Sequence, residues 1–160
     1  MTPITQLNII PGQLTLAQLR AVNRYDGIEY SLDESAFDDI NKSAAAVQQV
    51  IKDNRVVYGI NTGFGLLAQT SIPDDQLALL QTNLVLSHST GVGTPLPDDV
   101  VRLIYVLKIS SLAQGHSGIR VSTMEAFLAF VNSGLIAEIP EKGSVGASGD
   151  LAPLAHMTCA

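Results

Sequence analysis

Two seven-residue segments constrain this chain most: Gly59-Ile60-Asn61-Thr62-Gly63-Phe64-Gly65 and Gly143-Ser144-Val145-Gly146-Ala147-Ser148-Gly149, each with three glycines. Glycine gives up more backbone freedom on ordering than any other residue, so regular structure breaks at both places. Segments of this kind fold as loops, with positive φ values or close backbone approaches. The rest of the chain has to be arranged around two irregular loops.

Between the loops the pattern is helical. Thr15 with Gln18 forms a capping-box pattern ahead of Leu16, Leu19 and Val22, which predicts a helix over about 15–24 after the Pro11-Gly12 turn. Ser31 with Glu34 repeats the pattern before Phe37, Ile40, Ala44, Val47 and Ile51, spaced by three and four. Arg55-Val56-Val57-Tyr58 favours an extended strand. Pro73-Asp74-Asp75 opens a third helix to about Ser89, and 91–97 reads as a connector. Pro97-Asp98-Asp99 opens a fourth through about Gln114, and Ser122 with Glu125 caps a fifth that ends near Asn132, with Gly134 as C′ residue. Residues 136–139 look extended. Asp150 and Pro153 suit the first turn of a sixth helix, which places the second glycine-rich loop at a helix N-terminus. The expected class is mainly α, a helical domain with short extended segments. The sixth helix is still running at Ala160, so residues 1–160 are read as an incomplete domain of a longer protein.

Composition narrows the function. A net charge of −6, with the nine basic residues scattered singly, leaves no basic face for phosphates and argues against nucleic acid. The single cysteine, Cys159, excludes an internal disulfide and zinc-type spacings, so no metal is expected and a reducing, cytoplasmic compartment fits. The most apolar stretch, 103–113, is too short and too polar to span a bilayer, and the N-terminus lacks a signal-peptide pattern.

The segment GSVGASGDLAP at 143–153 resembles the signature of the aromatic amino acid ammonia-lyase and aminomutase family. A second, independent stretch, VYGINTGFGLL at 57–67, is similar to the family's other characteristic loop. The resemblance runs from about Leu14 to the end of the chain, in the family's own order. It implies a helical fold and a chain several times longer. It also implies active sites shared between subunits of a homotetramer, with further site residues beyond Ala160.

The resemblance further implies a prosthetic group made from the chain itself, 4-methylidene-imidazol-5-one (MIO), with no external cofactor. The Gly149 nitrogen attacks the Ala147 carbonyl; loss of one water from the ring and of the Ser148 hydroxyl as another leaves a methylene at the former Ser148 Cβ. Glycine permits the tight approach and alanine is small enough for the loop to compress. Ala147, Ser148 and Gly149 are thus catalytic candidates. Carried over from the family, Tyr58 is the base that removes the substrate β-proton. A phenol ordinarily titrates near about 10, so that role needs donors or positive charge nearby. Asp150 either organises the loop or serves as an ordinary N-terminal carboxylate.

Leu86-Ser87-His88-Ser89 occupies the segment that governs substrate choice in the family, and Ser-His resembles the pattern of its histidine-acting members. On residue type alone His88 is a dipole partner at a helix end; the resemblance makes it the group facing a substrate imidazole. Gly65 and Leu151 are expected to line the same pocket. His116 and His156 receive no functional role, His156 being read as packing or polar core. The expected activity is deamination of a small amino acid, L-histidine favoured, to urocanate and ammonia. The alternatives are tyrosine or phenylalanine lyases, aminomutases, and a non-catalytic helical association module.

Overall fold

The computed structural model describes residues 4–63, 72–143 and 149–160. The chain separates into two compact units, Met1–Ala46 with Pro97–Ile136 and Val47–Leu96 with Ala137–Ala160. In agreement with the sequence pattern the described residues are mainly helical, with four short strands.

The first unit begins with β1 (Gln6–Ile9), α1 (Leu16–Arg24) and β2 (Glu29–Leu32). The strands pair in parallel, Gln6 opposite Glu29 through Ile9 opposite Leu32, and α1 supplies the crossover that parallel strands require. Both strands alternate exposed and buried residues, so Leu7, Ile9, Tyr30 and Leu32 face inward. The capping box of α1 forms as expected: Gln18 N–H donates to Thr15 Oγ1 at 3.3 Å and Thr15 N–H to Gln18 Oε1 at 2.8 Å. Such a cap contributes about 1 kcal/mol.

Two expected caps do not form. Ser31 lies in β2, where its hydroxyl donates across the strands to Asn8 Oδ1 at 3.1 Å. Helix α2 (Ala36–Lys52) starts instead after a turn in which Asp33 Oδ1 accepts from both the N–H and the hydroxyl of Ser35. Likewise α5 (Val121–Asn132) opens at Arg120 with no side-chain cap, which puts Ser122 inside its first turn. Gly134 does follow the Ser133 cap at φ 78°, as a C′ glycine should.

Helix α4 (Asp98–Leu112) carries the centre of this unit's core. Val101, Tyr105, Val106 and Ile109 are buried, with Val22, Ile40 and Met124. The Tyr105 ring meets Phe127 and Phe130 edge-on at 5.9 and 5.7 Å, a geometry that adds about 0.5–1.5 kcal/mol per pair beyond area burial.

The second unit contains a 3₁₀ turn (Asp74–Gln76), α3 (Leu77–His88), β3 (Val92–Pro95), β4 (Pro140–Lys142) and α6 (Ala152–Cys159). The expected connector over 91–97 contains β3, and the extended segment expected at 136–139 is displaced to β4. The two strands pair antiparallel with an irregular register between Val92 and Pro95. Helices α3 and α6 pack on each other, and Ala152, Ala155 and Ile139 are buried. No helix among the described residues is long and apolar enough to cross a membrane.

Candidate active site

Tyr58 does not sit in a strand. Residues 58–60 form a turn, and the cause is Asn61. Its Oδ1 accepts the Val57 N–H at 2.9 Å while its Nδ2 donates to the Arg55 carbonyl at 2.9 Å. The Asn61 backbone N–H donates to Val57 O at 3.3 Å, and its carbonyl accepts the Ile72 N–H at 2.9 Å. A side chain that binds both backbone groups behind it folds Arg55–Asn61 back on itself and removes them from strand pairing. Asn61 is 4% exposed, whereas Tyr58, on the crest of the turn, is 62% exposed. Gly59 completes the crest at φ 79°, a backbone region that disfavours side chains.

The second glycine-rich loop is described at its two edges. Gly149 takes φ 101°, open to glycine and rarely to other residues. At the other edge a Cβ on Gly143 would run into the Asp150 carboxylate. Asp150 Oδ1 also accepts the Ala152 N–H at 3.2 Å, tying the loop's exit to the first turn of α6. Pro153 stands in that first turn. Gly65, Ala147 and Ser148 lie outside the described residues. Among the described residues, the left-handed backbone at Gly149 fits the glycine that an Ala147-Ser148-Gly149-derived group requires at that position.

His88 and Leu151 line one cavity. A cavity of about 240 Å³ between α3 and α6 is lined by Leu84, Val85, His88, Leu151, Leu154, Ala155 and Thr158. The lining is apolar except for the imidazole and the Thr158 hydroxyl. Such cavities let a few polar atoms fix a ligand's orientation. His88 Nδ1 lies 2.7 Å from the Leu84 carbonyl. A carbonyl only accepts, so Nδ1 carries the proton and Nε2 is the ring's remaining polar atom. Tyr58 is not among the residues lining this cavity. A larger cavity of about 440 Å³ in the first unit, lined in part by Tyr30, Asp98, Arg102 and Asn132, holds none of the expected site residues. Among the described residues no group of three or more His, Cys, Asp or Glu side chains could hold a metal ion.

Sequence reasoning gave Asn61 no role and read His156 as packing or polar core, and the structure puts both in hydrogen bonds that reading did not specify. Asn61 stands in the middle of the YGINTGFG stretch, yet no local spacing announces that it binds residues four and six positions back. His156 accepts the Gly91 N–H on Nε2 at 2.9 Å, a contact between residues 65 apart that no periodicity reveals.

Comparison with known proteins fits this geometry. The family model described as aromatic amino acid lyase matches residues 14–160. The chain belongs to the aromatic amino acid lyase family. Among curated members, the histidine ammonia-lyase of Salmonella arizonae is 58% identical over 152 residues, covering 95% of this chain and 30% of the relative. Among solved members, histidine ammonia-lyase from Trypanosoma cruzi superposes with a TM-score of 0.81 at 38% identity, over 94% of this chain and 28% of its own. The phenylalanine aminomutase of Pantoea agglomerans gives 0.85 at 31% identity, over 94% and 29%. The chain therefore spans about 30% of the length of the curated lyases it matches.

Proposed function

We propose that this chain is the N-terminal, electrophile-bearing part of a histidine ammonia-lyase, which converts L-histidine to urocanate and ammonia without oxidation. The observation that carries the reading is the cavity shared by His88 and Leu151, two residues beyond Gly149. It brings a single imidazole into an apolar pocket at the root of the loop that holds Ala147, Ser148 and Gly149. The names of the relatives at 58–59% identity point the same way.

Ala147, Ser148 and Gly149 would hold the methylidene-imidazolone, which supplies a carbon electrophile toward the substrate amine and so makes nitrogen a better leaving group. Asp150 holds the loop's exit on α6. Tyr58, presented at the crest of the Asn61-built turn, removes the β-proton as general base. His88, with its proton committed to Leu84, offers Nε2 as an acceptor for the substrate imidazole N–H, and Leu151 and Gly65 close the pocket around the ring. A phenylalanine lyase or aminomutase would have less use for this acceptor, since a phenyl ring has no N–H or O–H to donate to it. A buried polar group left unpaired by an apolar ring discriminates against that ring.

The complete enzyme is larger and oligomeric in this reading, a homotetramer in the cytoplasm. Helix α3 supports the view that more protein covers it. Leu77, Leu79, Leu80, Leu84, Val85 and Leu86 lie all round the helix rather than along one stripe, yet none of its residues is buried in this chain. Helices apolar on every side are core helices.

The test is turnover of the full-length protein on L-histidine, L-tyrosine and L-phenylalanine, followed by absorbance of the unsaturated acid, beside His88→Leu. Histidine preference that His88→Leu lowers supports the reading. Preference for an aromatic hydrocarbon side chain, or a ratio untouched by the substitution, sinks it.

A further inference from the structure

The cavity around His88 is walled by α3 on one side and α6 on the other, and one hydrogen bond ties the two where the chain leaves α3. Gly91, three residues after His88, donates its N–H to His156 Nε2 at 2.9 Å. A second contact lies alongside it: Ser89 Oγ is 3.2 Å from Cys159 Sγ, while the same hydroxyl donates to Val85 O at 2.8 Å. The tie is close-fitting. A Cβ on Gly91 would stand 3.0 Å from His156 Nε2 and 3.2 Å from Pro140 Cβ and Cγ. On α6, Ala155, next to His156 in sequence, lines the cavity, and so do Leu154 two positions before it and Thr158 two positions after. The residue that grips the α3 exit therefore lies on the same helix as the cavity wall.

We propose that His156 is a positioning residue for substrate side-chain choice: by accepting the Gly91 N–H it sets the spacing of α3 and α6, and through it the place of His88 in the pocket. The inference rests on the histidine-lyase reading of that pocket. The acceptor has to be a neutral ring nitrogen at the Nε2 position, protonated instead at Nδ1. Lysine or arginine cannot accept, and phenylalanine fills the space without an acceptor. Glutamine places an amide oxygen at the reach of Nε2.

The experiment uses the full-length protein with His156→Phe, His156→Gln, Gly91→Ala and, as reference, His88→Leu. Circular dichroism first establishes that each variant folds. Kinetics on histidine and phenylalanine follow, with histidine affinity measured by calorimetry in a Ser148→Ala background so that binding is read without turnover. Loss of one hydrogen bond that holds the pocket should raise KM and Kd for histidine about 5- to 10-fold and lower the histidine-to-phenylalanine ratio of kcat/KM, with kcat changed far less. His156→Gln should recover most of the loss. Gly91→Ala should act in the same direction by pushing from the other side, which keeps the test alive if His156→Phe does not fold. In a double-mutant cycle Gly91→Ala and His156→Phe should be strongly non-additive. If His88→Leu shifts the ratio while neither His156→Phe nor Gly91→Ala moves KM, Kd or the ratio, the positioning role is overturned and the pocket reading stands. A loss of kcat shared equally by both substrates overturns it as well. If His88→Leu itself leaves the ratio unchanged, the pocket reading fails and the positioning role with it.

Discussion

Replacing Asn61 with alanine should open the turn that presents Tyr58. The substitution removes two side-chain hydrogen bonds, from Val57 N–H and to Arg55 O, both 2.9 Å long and made by a residue only 4% exposed. Each such bond contributes about 1 kcal/mol net, and a backbone group left without a partner costs about 1–3 kcal/mol more when water cannot reach it. Arg55 is exposed and Val57 half-buried, so water recovers part of the loss. A total of about 2–3 kcal/mol follows, roughly a 30- to 150-fold shift in the turn's opening equilibrium. Hydrogen exchange reads this directly: the amides of Val57, Ile60 and Asn61 should exchange faster by about that factor, while amides in α4 keep their protection. Asn61→Asp retains an acceptor for Val57 but sets a carboxylate oxygen against the Arg55 carbonyl, and should be at least as damaging. In the full-length protein kcat should fall with the turn, since Tyr58 rides on it. Exchange at Val57 and kcat both within twofold of the parent would refute the claim that Asn61 builds the Tyr58 turn.

Three further outcomes are expected. Gly115→Ala should destabilise the protein by about 2 kcal/mol or more in urea titration, since a Cβ there would stand 2.5 Å from the Asp39 carbonyl carbon at φ 71° and a left-handed backbone alone costs alanine about 1–2 kcal/mol; a change under about 0.5 kcal/mol would contradict the contact. Tyr30→Phe should be neutral or stabilising by up to about 1 kcal/mol in the same assay, because the buried Tyr30 hydroxyl has no hydrogen-bond partner among the described residues, and a clear loss of stability would show the hydroxyl to be bonded. The Asp33 carboxyl is held below its ordinary 3.8 by the Ser35 hydroxyl first, then the Ser35 N–H and Asn8. With a lowered folded-state value, its contribution is present above 3.8 and is lost as pH falls through that lower value. Carboxyl NMR titration should show Ser35→Ala returning Asp33 toward 3.8, and no movement would discard the assignment.

The parts of the fold that the sequence announces are those written in local chemistry. Thr15 and Gln18 lie three residues apart, and both halves of their capping box form. Pro97 with Asp98 and Asp99, and Gly134 after Asn132, bound α4 and α5 for reasons confined to one turn of chain. The parallel pair β1–β2 escaped because each strand is four residues long and its partner lies 23 positions away. Ser31 illustrates the cost: beside Glu34 it resembles a cap, but β pairing claims its hydroxyl for Asn8. The same holds at the site. Tyr58, His88 and the Ala147–Gly149 triplet stand out in the sequence because motifs carry them, whereas the packing of α3 on α6 that puts Leu151 and His88 on one cavity is written in no motif. Asn61 and His156 act through bonds that depend on how the chain folds back, which no spacing records.

The central claim is that Ala147, Ser148 and Gly149 close into an electrophilic ring in the full-length protein. Mass spectrometry of the intact protein, and of the proteolytic peptide spanning Gly143 to Pro153, tests it most directly. Cyclisation removes two waters, so the parent peptide should be lighter than its sequence mass by two water molecules. The Ser148→Ala peptide, unable to form the methylene, should not show that full deficit. A parent peptide at its unmodified sequence mass, from a preparation that turns over histidine, would contradict the account.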